Sequence, residues 1–129
     1  MTTHEPTVFV VDDDPVVRQM ICARVQATGW PTQGYGTAEA FLDTYEPGKP
    51  ACLVLDVELP GMNGFGLLQR LRARGCDLPV IMMSGLTDAH IAGHAESCGA
   101  FAFRNKRELA DPRVLLDCIR QALAQRVAG

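Results

Sequence analysis

Apolar residues gather along the chain into five short runs, each followed by a longer segment in which they return every three or four positions. The first run is Thr7-Val8-Phe9-Val10-Val11, and the others fall at residues 31–35, 51–55, 79–83 and 100–103. Where successive positions are all apolar, as in Cys52-Leu53-Val54-Leu55 and Val80-Ile81-Met82-Met83, the pattern predicts strands buried on both faces. The second run is weaker. Pro31 lacks the N–H that a ladder needs, which predicts an edge strand.

The intervening segments predict helices. Pro15 suits a first helical turn that Asp14 can cap, and Val17, Ile21 and Val25 share one face of a helix reaching about Thr28, where Gly29 stops it. Thr37 caps a second helix containing Ala38, Ala40, Phe41 and Leu42, which gives way to the loop Pro47-Gly48-Lys49-Pro50. A third carries Phe65, Leu67, Leu68 and Leu71 and ends near Arg74-Gly75, with Arg70, Arg72 and Arg74 on its solvated part. Asp88 is placed to cap a fourth, to about Cys98, in which Gly93 lowers stability by about 1 kcal/mol relative to Ala. Asn105-Lys106-Arg107-Glu108 reads as a polar loop. Asp111 and Pro112 open a fifth helix with Val114, Leu115, Ile119, Ala122 and Leu123 facing inward. Strands alternating with helices predict an α/β fold, a parallel sheet with helices on both faces joined by right-handed crossovers.

Composition narrows this to one domain over residues 1–129, with residues 1–6 expected as a flexible N-terminus and 127–129 as a C-terminal tail. A net charge of -3 supplies no basic field for nucleic acid or an anionic membrane. No apolar run approaches the roughly eighteen residues of a membrane span, and the first residues lack the features of a signal peptide; a cytoplasmic protein is expected. The five cysteines are widely spaced without a C-x-x-C pair and read as small buried hydrophobes.

The chemistry lies where the strands end. In open parallel sheets ligands bind at the carboxyl ends of the strands, beside a topological switch point. Those ends here carry Asp12 and Asp13, Asp56, Ser84 and Lys106. Carboxylates without a nearby His or Cys favour a hard, oxygen-loving cation such as Mg²⁺. Asp56 is then a candidate nucleophile that can take a phosphoryl group as an acyl phosphate. Lys106 would supply a point positive charge, and the Ser84 hydroxyl a hydrogen bond, to the phosphoryl oxygens.

Four segments together are highly specific: Val10-Val11-Asp12-Asp13-Asp14, the run from Leu55-Asp56 to Met62-Asn63-Gly64, Met82-Met83-Ser84-Gly85, and Gly99-Ala100-Phe101 through Lys106. Across essentially its whole length the chain resembles a response-regulator receiver domain of two-component signalling, with local features similar to the nitrogen-fixation-regulator type. The resemblance implies a flavodoxin-like three-layer sandwich with sheet order 2-1-3-4-5. It also implies Asp56 as phosphoacceptor, Mg²⁺ held by Asp13, Asp56 and the Glu58 backbone carbonyl with Asp12 acting through water, Ser84 and Phe103 as the switch pair, and Glu58 and Leu86 as modulators of phosphoryl lifetime. Implied partners are a histidine kinase or phosphotransfer protein and a downstream protein or fused DNA-binding effector, as in transcription regulators. A homodimer through the fourth helix, fifth strand and fifth helix is a further implication. Such a domain is no enzyme in the ordinary sense, catalysing only its own phosphorylation and dephosphorylation.

One departure stands out. The family usually has Pro after the lysine, commonly with a cis bond, whereas Arg107 follows Lys106 here. A cis bond to a non-proline residue costs about 2.5–4 kcal/mol, so a trans bond and a displaced loop are expected. The same departure motivates an alternative, a receiver-fold interaction module that works without phosphorylation. An aspartyl-phosphate hydrolase is weaker, since Glu58-Leu59 stands where a second Asp is wanted. A flavin-binding flavodoxin is weaker again, because Asp12-Asp13-Asp14 would repel a phosphate. His90 and His94 have metal-binding spacing but no evident third ligand, and read as packed or exposed side chains.

Overall fold

The computed structural model describes residues 6–86 and 89–128. In chain order the elements are β1 (Thr7–Val11), α1 (Pro15–Gln26), β2 (Thr32–Tyr35), α2 (Ala38–Thr44), β3 (Ala51–Asp56), α3 (Gly64–Ala73), β4 (Val80–Ser84), α4 (Ala89–Ser97), β5 (Ala102–Asn105), α5 (Lys106–Leu109) and α6 (Pro112–Ala128). All strand pairs are parallel, in the order β2-β1-β3-β4-β5, as the resemblance implies. β2 sits at one edge, where Pro31 needs no partner strand beyond it.

The sheet divides the core in two. Alternate side chains of β1, β3 and β4 pack one way with Phe41, Leu67, Leu68 and Leu71, and the other way with Ile21, Val25, Leu115, Ile119 and Ala122. β3 and β4 are buried at every position, which is why their sequences do not alternate. Capping follows the expected chemistry: Val16 N–H donates to Asp14 at 2.9 Å, Ala40 N–H to Thr37 at 3.0 Å, and Arg113 N–H to Asp111 at 2.9 Å.

Four expectations change. Residues 105–108 are not a loop. Asn105 ends β5 and caps α5, and the Glu108 side chain accepts from the Asn105 N–H at 3.0 Å, which closes a capping box. β5 begins at Ala102 rather than residue 100, because Gly99 adopts a φ of 92° and turns the chain after α4. Arg72 is not merely solvated: its half-buried guanidinium donates to the carbonyls of Cys76 and Gly99, both at 2.9 Å, and ties the end of α3 to that turn. The final helix continues through Ala128 rather than ending before a tail. The proposed Asp88 cap and residues 1–5 and 129 lie outside the described residues. All five cysteines are free, with Cys52 and Cys118 buried and Cys22, Cys76 and Cys98 half-buried. No helix among the described residues is long and apolar enough to cross a membrane.

Candidate functional site

Strand register assembles the site. Val11 lies beside Leu55, so the next residues, Asp12 and Asp56, emerge together at the carboxyl edge of the sheet. Met83 lies beside Asp56, so Ser84 follows one step beyond, and Ser84 in turn lies beside Asn105, the residue before Lys106. The chain turns outward from β1 to β2 and then crosses to β3, which puts Asp12 and Asp56 on either side of the switch point.

Carboxylate oxygens of Asp12, Asp13 and Asp56 lie within 4.8 Å of one another, and among the described residues this is the one group of three with metal-ligand chemistry. Asp12 is 0% and Asp56 1% exposed, whereas Asp13 faces solvent. The Lys106 ammonium lies 3.0 Å from Asp56 Oδ2 and 3.1 Å from Asp12 Oδ2. Asp56 Oδ1 accepts from the Glu58 N–H at 3.0 Å, and Asp12 Oδ1 from the Asp14 N–H at 2.9 Å. Asp12 Oδ2 accepts no well-formed hydrogen bond, so its contact with Lys106 is that of an ion pair.

The electrostatics follow from burial and from one cation facing three anions. Burial raises the Asp56 carboxyl to about 6, with a further push from Asp12, while Lys106 and the Glu58 N–H oppose the rise. Burial pulls the Lys106 ammonium down, but the hydrogen bond it donates to Asp56 and the negative charge of Asp56 and Asp12 outweigh it and leave the group above its ordinary value. Excess negative charge, an all-oxygen donor set and a buried Asp12 Oδ2 that accepts no well-formed hydrogen bond together suit a hard divalent cation.

The supports explain why these side chains hold their places. The Arg18 guanidinium donates to the Asp12 carbonyl at 2.7 Å from one turn into α1. Asn63 caps α3 by accepting from the Gly66 N–H at 2.9 Å, and Glu39 of α2 accepts from the Met62 N–H at 3.2 Å. Gly64 is required by close approach. A Cβ there would stand 2.4 Å from the Asp56 carbonyl oxygen and 3.0 Å from Val57 Cα.

Ser84 is fully buried, but its hydroxyl is engaged: it donates to Glu58 Oε1 and Oε2 at 3.0 and 2.8 Å and accepts from the Leu86 N–H at 3.0 Å. The Gly85 N–H also donates to Glu58 Oε1, at 3.3 Å. The Leu86 side chain is exposed. Phe103 is half-buried against the core and, with Gly93 and Ala92, lines a cavity of about 460 Å³ between α4 and β5. His94 packs edge-on to Phe65 at 4.4 Å. As expected, no cis peptide bond occurs among the described residues. The expected displacement fails, since Lys106 reaches both buried carboxylates with Arg107 behind it.

Sequence reading missed Arg18, the Asn105–Glu108 box and the Glu58–Ser84 contact. The box had a signal, Asn followed three residues later by Glu; a contact between two strand ends has none.

The profile of the response regulator receiver domain matches residues 8–120. The chain belongs to that family. It is 35% identical over 118 residues to the transcriptional regulatory protein FixJ of Azorhizobium caulinodans, covering 92% of this chain and 55% of that protein. The transcriptional regulatory protein TdiR of Thauera aromatica is 35% identical over 123 residues, covering 95% of this chain and 53% of TdiR. The chain thus spans about half the length of these two relatives. Among solved structures, the response regulator StyR matches with a TM-score of 0.88 at 33% identity over 97% of this chain and 62% of StyR. FixJ-N matches with 0.85 at 29% identity over 95% of this chain and 96% of its own. In this receiver domain the pocket of Asp12, Asp13 and Asp56 fits a phosphoacceptor, and a phosphorylation-independent module is not favoured.

Proposed function

We propose that Asp56 accepts a phosphoryl group from the phosphohistidine of a histidine kinase or phosphotransfer protein, and that the acyl phosphate resets the face formed by α4, β5 and α6. The observation that carries this is the Asp56 carboxylate, buried among acidic neighbours and held by Lys106 at 3.0 Å. With its pKa at about 6, Asp56 is largely ionised near pH 7 and can act as the nucleophile. Its oxygen bonds to phosphorus as the phosphorus–nitrogen bond breaks, and the electron pair returns to the donor imidazole. Asp13, Asp56 and the Glu58 backbone carbonyl would hold Mg²⁺, with Asp12 acting through water, and the ion when bound neutralises phosphoryl charge.

Lys106 then exchanges part of its carboxylate contact for a phosphoryl oxygen, and Ser84 turns its hydroxyl to another. Movement of Ser84 frees room for Phe103, beside the cavity between α4 and β5, and the two arrangements form a population switch. Docking of a protein donor is supported by Val16 and Leu86, 74% and 54% exposed, the large apolar side chains left outside the core among the described residues. Val16 follows the site residue Asp13 by three positions, and Leu86 follows Ser84 by two. The output is a DNA-binding effector or a partner protein, and a homodimer through the α4-β5-α6 face is one form of the activated state. Incubation with Mg²⁺ and a small phosphodonor, read by intact mass, should add one phosphoryl group. Its absence, or its persistence in Asp56→Asn, refutes the reading.

A further inference from the structure

We propose that the Glu58 side chain is a built-in competitor for the incoming phosphoryl group, occupying the donors that would bind it. This inference rests on the reading of Asp56 as phosphoacceptor. Glu58 follows Asp56 by two residues, and its backbone N–H already holds Asp56 Oδ1. From that anchor its carboxylate crosses from the end of β3 to the end of β4. There it takes the single proton of Ser84, shared between its two oxygens at 3.0 and 2.8 Å, and the Gly85 N–H at 3.3 Å.

Those donors are limited in number. A hydroxyl has one proton to give, and the Ser84 oxygen also accepts from the Leu86 N–H. Ser84 therefore has no donor left for a phosphoryl oxygen while Glu58 stays in place. The carboxylate is itself an anion with oxygens in charge-assisted hydrogen bonds, so it stands in for part of the ligand. Phosphorylation must displace it, and the chain can withdraw it: Glu58 is exposed and free to rotate into solvent. Glu58 is thus a positioning residue acting through Ser84, distinct from a carboxylate that merely repels the donor by its charge.

The two mechanisms separate in a double-mutant cycle. With Mg²⁺ and phosphoramidate, the rate of Asp56-dependent mass gain is measured for the wild type, Glu58→Ala, Ser84→Ala and the double variant. Glu58→Ala should accelerate the reaction roughly tenfold, the scale of one released charge-assisted hydrogen bond. In the Ser84→Ala background the same change should give only a small gain, from the long Gly85 N–H bond alone. Glu58→Gln, which keeps an acceptor without the charge, should fall between. Without metal or donor, the Gly85 amide should lose hydrogen-exchange protection in Glu58→Ala while the unfolding midpoint stays near that of the wild type.

Equal acceleration in both backgrounds overturns the inference in favour of charge repulsion. A wild type that is phosphorylated with no gain from Glu58→Ala overturns it and leaves Asp56 as acceptor. No mass gain in any variant removes the acceptor reading and this inference with it.

Discussion

Replacing Asp56 by Asn should stabilise the metal-free protein at neutral pH, although it removes a partner of Lys106. In the folded chain the Asp56 carboxyl is lifted from its ordinary 3.8 to about 6. An acid whose pKa rises on folding binds more protons folded than unfolded through that window, so stability falls as pH rises from about 4 to 6. A difference of about 2 in pKa is worth about 3 kcal/mol. This already includes the attraction of Lys106, which keeps Asp12 as a partner at 3.1 Å after the substitution. Asn mimics the neutral acid and escapes the loss. Urea unfolding in EDTA should therefore show Asp56→Asn about 2–3 kcal/mol more stable than wild type at pH 7.5, and the gap should close near pH 4. A gap of the same size at both pH values, or a less stable variant at pH 7.5, would show that burial of this carboxylate is not what governs the site.

Further substitutions probe the supports. Lys106→Met strips the cation from two buried carboxylates; because the lysine side chain is one-quarter exposed, the loss should be about 2 kcal/mol by urea unfolding, and adding Asp56→Asn should recover most of it. Gly64→Ala drives a Cβ to 2.4 Å from the Asp56 carbonyl oxygen, so thermal unfolding should report a loss of about 2–4 kcal/mol. Phe41→Ala empties a buried position flanked by the rings of Phe9 at 5.3 Å and Tyr45 at 5.0 Å; calorimetry should show a loss of about 3–5 kcal/mol.

The parts of this protein most legible in its sequence are those where a local pattern and a tertiary demand coincide. Val80 to Met83 is apolar without alternation because both sheet faces are covered, so composition alone identifies a central strand. Asp12, Asp56, Ser84 and Lys106 were readable as a group because parallel strands align their carboxyl ends. Arg72 was misread because the same side chain suits a solvated helix face and a carbonyl clamp, and helical periodicity does not distinguish them. The Glu58–Ser84 contact joins residues 26 apart through side-chain rotamers that no spacing rule specifies.

The Lys106–Arg107 step shows how a local signal can replace a covalent one. Proline after the lysine would restrict the backbone through its ring, and its absence suggested a misplaced ammonium. The chain restricts the same backbone by hydrogen bonding instead. Asn105 accepts from the Arg107 N–H at 2.8 Å, and Glu108 accepts from the Asn105 N–H at 3.0 Å. These two bonds fix the first turn of α5 directly after the last β5 residue, with Lys106 at its start. Because Asn105 is in register with Ser84, that start is tied to the sheet edge, and Lys106 reaches from it to Asp12 and Asp56. A helix cap of this kind contributes about 1 kcal/mol, less than a ring constraint but enough to select one turn geometry when the strand before it is already paired.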